Sequence, residues 1–594
     1  MNPGRQEQSF ARRLLWPGIC IALLAVWTTY CHLSWSHQAG HLPGLLAFFV
    51  GLLVLILVNA LVRLSVRTWQ RGLRWLVSSE AWRLCGWTVV FAVSTVVLFY
   101  NVELWRGKRA WAAVVREAEA RGVPLDYEAS IPPQPPEDQN FAKAPLFAPL
   151  FETRQIARSS RPGEYTSPEL GEFERFAVRL YRAGTPFAPW LEGHISSFQT
   201  LWNFHFLTNR TVGRPSSTST SRFANNAAAA AAMLVELETQ GSMLDELRKF
   251  SDRPECWFPP DELLAGLLFS RQADAMNGLL RVLRLRASAE VALNQSTAAF
   301  GDVQFILRLA DLGRQKPQPT SVAYAFHHLA VVDALQPLWE GLAKRCWTAE
   351  QIAEVQRQLE GLNLLGDYPD AVRADGVTMA TMVERLIPTS GSGRPMPVME
   401  NPEDERPLRW IRLFYPGGWS LQDQAAILRF HLETTSEYLD LTARRIAGQR
   451  HGEPRGLLSS SDPFYPVFMV PKLLQMYDDA SESFPFAQTA VDLATLACAL
   501  ERYRLAQGEL PATLAELAPQ FLAKLPNDVF TGEPLKYRRM DDGGFLIYSV
   551  GFNKTDDGGK PCVRHTNWRG ETESRFDLDQ NDWVWSRPAA HTGN

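Results

Sequence analysis

The chain concentrates no positive charge. Its 60 Lys and Arg are outnumbered by 64 Asp and Glu, for a formal net charge of -4 over 594 residues. It therefore lacks the basic face that a nucleic-acid backbone demands, and nucleic acid is not an expected partner. Cysteine is sparse: Cys20, Cys31, Cys85, Cys256, Cys346, Cys498 and Cys562 include no CxxC pair, which argues against a zinc ribbon or a disulfide framework. Cys498 and Cys562 could pair in an oxidising compartment, but free buried thiols are the ordinary reading. Membrane-length apolar runs are missing after Val102, and the runs before it contain no Asp, Glu, Lys or Arg. Ionisable groups within the bilayer mark ion and proton paths, so the apolar part reads as an anchor and not as a transporter.

Catalytic signatures are missing too. Asn553-Lys554-Thr555-Asp556 spells the guanine-reading NKxD tetrapeptide, but no GxxxxGK[ST] phosphate loop accompanies it, and coincidence is the better reading. His327-His328 lies in an apolar stretch without an HExxH pattern, as packing histidines do. Ser390-Gly391-Ser392-Gly393 has neither the preceding strand nor the following helix of a nucleophile elbow and reads as a linker.

What is present begins with three apolar stretches, Leu14 to Leu33, Gly44 to Val62 and Cys85 to Val102. About 20 helical residues cross a hydrocarbon core of about 30 Å, so the spacing predicts three N-terminal transmembrane helices. Trp16, Trp35, Trp87 and Trp105 stand near their ends, where indoles favour the headgroup zone. Arg5, Arg12 and Arg13 precede the first stretch, no Lys or Arg lies from Ser34 to Pro43, and Arg63, Arg67, Arg71, Arg74 and Arg83 follow the second. Cytoplasmic loops hold the arginine excess, so the N-terminus is expected in the cytoplasm and the large C-terminal part outside it. A cleaved signal peptide is the rival reading of the first stretch, though its run is long and no small-x-small site follows promptly. Helical spans place the anchor in the inner (cytoplasmic) membrane, because outer membranes are populated by barrels.

The length asks for several domains of roughly 100 to 200 residues each. After the anchor, 1–105, comes a membrane-proximal helix over Arg106 to Arg121 with Trp111, Ala112, Val115 and Ala118 on one face, stopping at Gly122 and Pro124. Ile131-Pro132-Pro133-Gln134-Pro135-Pro136 predicts an extended spacer, lid or linker, and mixed sequence reaches residue 223. Residues 224–390 read as an irregular α-helical array, loosely like tetratricopeptide hairpins but without a fixed period. Within it Thr348 and Gln351 form a capping box, with Trp347 placed to staple onto Ile352. Residues 391–466 hold a polar linker and a long helix capped by Ser420 and running to about Ala447, with Asp423 in its first turn. Residues 467–594 read as a helix, interrupted near Pro485, plus a small sheet.

The ordered pieces of this last part carry a resemblance. A helix ending Ala499-Leu500-Glu501-Arg502-Tyr503-Arg504-Leu505-Ala506-Gln507-Gly508 leads to Leu510-Pro511, Leu525-Pro526-Asn527-Asp528, Thr531-Gly532-Glu533-Pro534-Leu535-Lys536-Tyr537 and Gly544-Phe545-Leu546-Ile547-Tyr548-Ser549-Val550-Gly551. Residues 487–559 thereby resemble the globular head of a type II secretion major pseudopilin. The rest resembles, less specifically, a bacterial multi-pass membrane protein family carrying such a head. No basic leader or continuous hydrophobic helix precedes residue 487, and Val529-Phe530 stands where the family prefers Pro-Trp, so the resemblance implies a small α+β head fold and not pilus assembly. The alternation through Leu535 to Arg539 and Phe545 to Ser549, joined by Asp541-Asp542-Gly543-Gly544, predicts a hairpin independently, and Asp582-Trp583-Val584-Trp585 reads as an edge strand. Such heads often bind calcium in a C-terminal acidic loop, which the resemblance places at Asn553, Asp556 and Asp557; the alternative is a solvated acidic turn.

The fold expected is therefore membrane-anchored and mainly α. The function expected is that of an exported structural or protein-interaction protein, with membrane lipid and a protein engaged by the array as partners and the head as an accessory module. The competitor is an exported hydrolase whose active site gathers residues from distant parts of the chain, which a cleft with paired carboxylates of perturbed pKa would favour. Indoles at Trp111, Trp190, Trp202, Trp257, Trp339, Trp347, Trp410, Trp419, Trp568, Trp583 and Trp585 suit a carbohydrate or peptide groove, but buried packing is the base expectation.

Overall fold

The computed structural model describes residues 79–127, 133–151, 189–207, 223–238, 241–258, 271–313, 321–387, 415–447, 482–564, 575–576 and 581–587. The expected spans at 14–33 and 44–62, the Ser390 linker, Trp410 and Trp568 lie outside them. Within the described residues the chain is mainly helical with small sheets.

Charge-free sequence from Val89 runs straight into the amphipathic stretch after Arg106, and nothing between them breaks a helix. The result is one continuous helix of 42 residues, α1 (Ser79–Ala120), about 63 Å long at 1.5 Å per residue. Its first half is bare: Trp87, Phe91 and Leu98 are 72%, 74% and 65% exposed, far more than an apolar side chain shows in a water-facing fold. Its second half is packed through Val114 and Ala118, while Ala112 faces solvent, so the buried stripe is turned slightly from the one expected. Gly122 ends it at φ +70°. Gly122 N–H donates to Glu119 O at 3.0 Å and Val123 N–H to Ala118 O at 2.9 Å, the paired bonds of a Schellman stop.

Among the described residues two helices are long and apolar enough to cross a membrane, α1 and the helix Ser483–Gln507, and their surroundings separate them. Only 6% of the apolar window of α1 is covered by protein, against 94% for Ser483–Gln507, which is therefore the core helix of the folded domain. Its residues from Phe484 to Glu501 are all buried. Pro485 falls in its first turn, where a missing N–H costs nothing, and so starts the helix instead of interrupting it. Gly508 at φ +83° closes the other end.

Around that helix the chain lays down α2 (Phe198–Leu207), α3 (Asn226–Glu238), α4 (Gly241–Arg248), α5 (Arg271–Ala292), α6 (Ser296–Gly313), α7 (Ser321–Lys344), α8 (Ala349–Glu360), α9 (Tyr368–Leu386) and α10 (Gly417–Tyr438); Ser483–Gln507 is α11. Successive helices α5, α6 and α7 pack on one another, and α7 and α8 pack on α11. The capping box of α8 forms, with Gln351 N–H donating to Thr348 Oγ1 at 3.2 Å and Thr348 N–H to Gln351 Oε1 at 2.9 Å. Trp347 is buried, its indole N–H donating to Leu338 O at 3.0 Å, and it lies on Gly341, where a Cβ would stand 2.0 Å from Trp347 Nε1.

A short hairpin, β1 (Leu439–Asp440) with β2 (Arg445–Ile446), follows α10. The helix ends there at Tyr438, not at Ala447, and it begins at Gly417. Ser420 is accordingly inside its first turn, with its hydroxyl donating to Ile387 O at 2.9 Å, and does not cap it. Beyond α11, β3 (Lys536–Arg539), β4 (Phe545–Ser549) and β7 (Trp583–Arg587) form an antiparallel sheet in the order β3-β4-β7. Arg539 pairs with Phe545 and Phe545 with Arg587. The Asp541–Gly544 turn forms, with Met540 N–H donating to Gly544 O at 3.0 Å and Gly543 at φ +78°. The small pair β5 (Val563–Arg564) and β6 (Arg575–Phe576) lies apart from this sheet.

The main apolar core runs from Phe141 to Trp585, and a separate smaller cluster, with Val114, Ala118, Val377, Ala425, Leu428 and Leu432, joins α1 to α9 and α10. The segment expected as mixed sequence belongs to the main core: Asn140 is buried and its side chain bonds Ala142 N–H, Trp257 N–H and Trp257 O, which seats Phe141 and Phe147 in the interior. Trp190 stacks near Trp585 with centroids 4.9 Å apart, so the last described strand packs on sequence nearly four hundred residues earlier. Trp190, Trp339, Trp583 and Trp585 are core residues, and Cys498 and Cys562 are buried thiols with no disulfide between them.

Candidate functional site

Residues four apart share a helix face, and on α1 the stripe Phe99, Glu103, Gly107 marks the transition from the exposed half to the packed half. Against it lies the first turn of α10. A Cβ on Gly418 would fall 2.0 Å from Glu103 O, and one on Gly107 would fall 2.3 Å from Gly418 O, so the backbones themselves are in contact and no side chain fits between. Trp419 meets the Phe99 ring edge-on at 6.0 Å and the Tyr415 ring at 5.4 Å.

Glu103 is buried at this crossing. Its carboxylate accepts from Arg106 Nη1 at 2.8 Å, Trp419 Nε1 at 3.1 Å and Gln422 Nε2 at 3.0 Å. A buried carboxylate is tolerable only when hydrogen-bonded or paired, and this one is both. Asp423 is also buried; Tyr415 Oη donates to its Oδ2 at 2.5 Å, and burial together with Asp423 pushes the Tyr415 phenol well up. From there α10 runs alongside α1, and Arg121 Nη1 donates to Leu432 O at 2.5 Å near the far end. On its other side α10 binds the C-terminal half of α9, through Ser420 to Ile387 O and through Gln424 Nε2 to Glu384 Oε2 at 2.9 Å. Gly376 admits the close approach, since a Cβ there would stand 2.9 Å from His431 Cβ.

The three helices enclose a half-open cleft of about 330 Å³. Trp111 and Leu125, Val377 and Ala380, and Leu421 and Leu428 wall it, two from each neighbourhood. Its polar groups are Thr381, whose hydroxyl donates to Val377 O, and the Glu384–Gln424 pair. The sequence shows Pro416-Gly417-Gly418-Trp419 as a break before a helix. That the glycines are inside the helix, and that Glu103 three hundred residues earlier is their counterpart, carries no local signal.

The acidic loop beyond β4 is held by its own groups. Asn553 Nδ2 donates to Asp557 Oδ2 at 3.2 Å and Asn553 Oδ1 accepts from Thr555 N–H at 2.9 Å. Asp556 Oδ1 accepts from Gly558 N–H and Tyr548 Oη, both at 3.0 Å, and the Gly558 N–H followed by the Tyr548 hydroxyl holds its carboxyl below the usual range. Beneath them Asp582 accepts from Asp557 N–H at 3.3 Å and Gly559 N–H at 2.7 Å; burial pushes its carboxyl up. The loop thus brings Asn553 and Asp557 together and turns Asp556 toward Tyr548. Among the described residues no three His, Cys, Asp or Glu side chains are grouped as a metal ion requires. Asp528 acts similarly, accepting from Phe530 N–H at 2.8 Å and Val550 N–H at 3.0 Å, and so ties the Asn527-Asp528 turn to the end of β4.

Paired carboxylates do occur, at Glu290 on α5 and Asp302 on α6. Arg286 holds Asp302 through two bonds of 2.6 and 2.5 Å, Arg248 of α4 joins it, and Arg286 stands 3.9 Å from Glu290. Burial, and then Asp302, push the Glu290 carboxyl up to about 7. The pair is a helix-to-helix clamp: Asp302 is fully buried and occupied by two guanidinium groups. His327 and His328 are buried, with Nδ1 atoms against Ala310 O at 2.5 Å and Ser483 Oγ at 2.9 Å.

No family model matches the chain, and no curated protein or solved structure matches it.

Proposed function

We propose that the chain is a membrane-anchored, extracytoplasmic structural or protein-interaction protein whose folded domain is fixed in height and orientation on the bilayer. The observation that supports this most directly is α1. One helix supplies an exposed apolar stretch of membrane length and, without a joint, a wall of the folded domain. Such a connection suits a protein that presents a surface at a set distance from the membrane. The arginine asymmetry of the N-terminal flanks supports a cytoplasmic N-terminus and a domain on the far side of the inner membrane. The helical array supports a role in binding, because packed helices offer broad, rigid surfaces. In this reading the C-terminal sheet, whose motifs resemble a pseudopilin head, is built into the same body, since β4 and β7 pack on α11.

The test is a reporter active only outside the cytoplasm, fused after residue 160 and at the C-terminus. Activity at both positions is expected; silence at both would put the domain in the cytoplasm and remove the extracytoplasmic part of the reading. A photo-crosslinking residue at Val235, exposed on α3, should then yield a discrete protein adduct in membranes.

A further inference from the structure

We propose that the cleft between α1, α9 and α10 binds a single acyl chain of a membrane lipid. The inference rests on α1 crossing the bilayer. Trp87 and Trp105, both strongly exposed, stand about 27 Å apart along the helix at 1.5 Å per residue. That is close to the thickness of a hydrocarbon core, and interfacial indoles are expected at such limits. Trp111, which walls the cleft, lies only about 9 Å beyond Trp105.

The other wall begins lower still. Trp419 at the start of α10 packs on Phe99, which is inside the band that the two indoles bracket. Leu421 and Gln424 follow within about one and a half turns. The cleft therefore starts at headgroup level and extends away from the bilayer.

Its chemistry has a direction. The Glu384–Gln424 pair joins the last turns of α9 to the first turns of α10, the end nearer the membrane, whereas Val377 and Leu428 lie farther up the same two helices. A ligand with its polar part at the bilayer and its apolar part pointing into the domain fits this order; a soluble apolar molecule has no use for it. At about 330 Å³ the cleft is at the small end of ligand sites, which span about 300–1,000 Å³. That is room for the greater part of one chain and not for a whole phospholipid or a folded peptide. Inside it the chain exchanges hydrocarbon for apolar protein walls, so leaving the bilayer costs it little hydrophobic free energy.

The full chain is reconstituted in nanodiscs containing a phosphatidylglycerol with a diazirine at the end of one acyl chain, illuminated, and mapped by peptide mass spectrometry. Two sets of adducts are expected, one within Cys85–Val102 and one within Val377–Glu384 and Leu421–Leu428. Ala380→Phe, which fills the cleft, should abolish the second set and keep the first; Leu421→Trp fills the same space from α10 if the first variant does not fold. Adducts confined to the first set, or a second set that survives both fillings, overturn the acyl-chain site. Absence of the first set overturns the membrane span itself, so the two failures are told apart.

Discussion

Gly107 and Gly418 meet backbone to backbone, with Gly418 O where a Gly107 Cβ would be. Two helices can approach this closely only where both lack side chains. The contact therefore selects glycine for space and not for backbone conformation, since neither residue has a positive φ. Gly107→Ala or Gly418→Ala should force α1 and α10 apart and lower stability by about 1–3 kcal/mol, as overpacking does. Gly86→Ala, which meets nothing within 4 Å, should leave the melting temperature of the detergent-solubilised protein unchanged. Equal melts for all three variants would mean that the crossing is loose.

Glu103 is the polar lock of the same crossing. Glu103→Ala strands the Trp419 indole N–H, at a cost of about 1–3 kcal/mol for a donor left buried without a partner, and leaves the Gln422 amide only its 3.3 Å bond to Gly418 O. Glu103→Gln keeps an acceptor and should fall between Ala and wild type. Limited proteolysis should show the order directly, with cleavage near Tyr415 fastest in Glu103→Ala.

The clamp at Glu290 makes stability depend on pH in an unusual sense. Its carboxyl is raised from 4.5 to about 7 in the folded protein. Between those values the folded state binds more protons than the unfolded one, so this group's contribution falls as pH rises through that window and is most favourable below it. Glu290→Gln should flatten that part of the profile, most visibly as a smaller loss of melting temperature between pH 5 and pH 7.5. A wild-type and a Gln profile of identical slope would show that Glu290 does not titrate there.

Asp582 organises the acidic loop from beneath. Asp582→Ala leaves the Asp557 and Gly559 amides without their acceptor and should destabilise by about 1–3 kcal/mol, more than Asp557→Ala. A calcium chelator should leave the wild-type melt unchanged, because the loop closes on protein groups. A chelator-sensitive melt would instead assign Asn553, Asp556 and Asp557 to calcium.

Local pattern carried much of the architecture. The α8 capping box, the Asp541–Gly544 turn, the Gly122 stop and the strand at Trp583 are each written in a few adjacent residues, because caps, turns and alternation are short-range chemistry. Long-range choices were not legible. Pro416-Gly417-Gly418-Trp419 looks like a loop until Glu103 and Phe99 are seen opposite it. Pro485 looks like a break until the helix is seen to begin there. The 391–466 and 467–594 segments look like separate pieces because sequence does not reveal that Trp190 reaches Trp585, or that Ile446 N–H donates to Val529 O at 2.7 Å. The cleft was invisible for the same reason: its walls come from three helices, and each wall residue is an ordinary apolar position in its own helix.

The unbroken course of α1 has a mechanical consequence. A helix that enters a folded body without a hinge acts as a lever, and apolar spans respond to bilayer thickness by tilting. A change in tilt of about 10° over the roughly 63 Å of this helix carries its far end sideways by roughly 11 Å. With α1 crossing the bilayer as proposed, the domain leans as the surrounding lipid thins or thickens, turning a property of the membrane into a displacement.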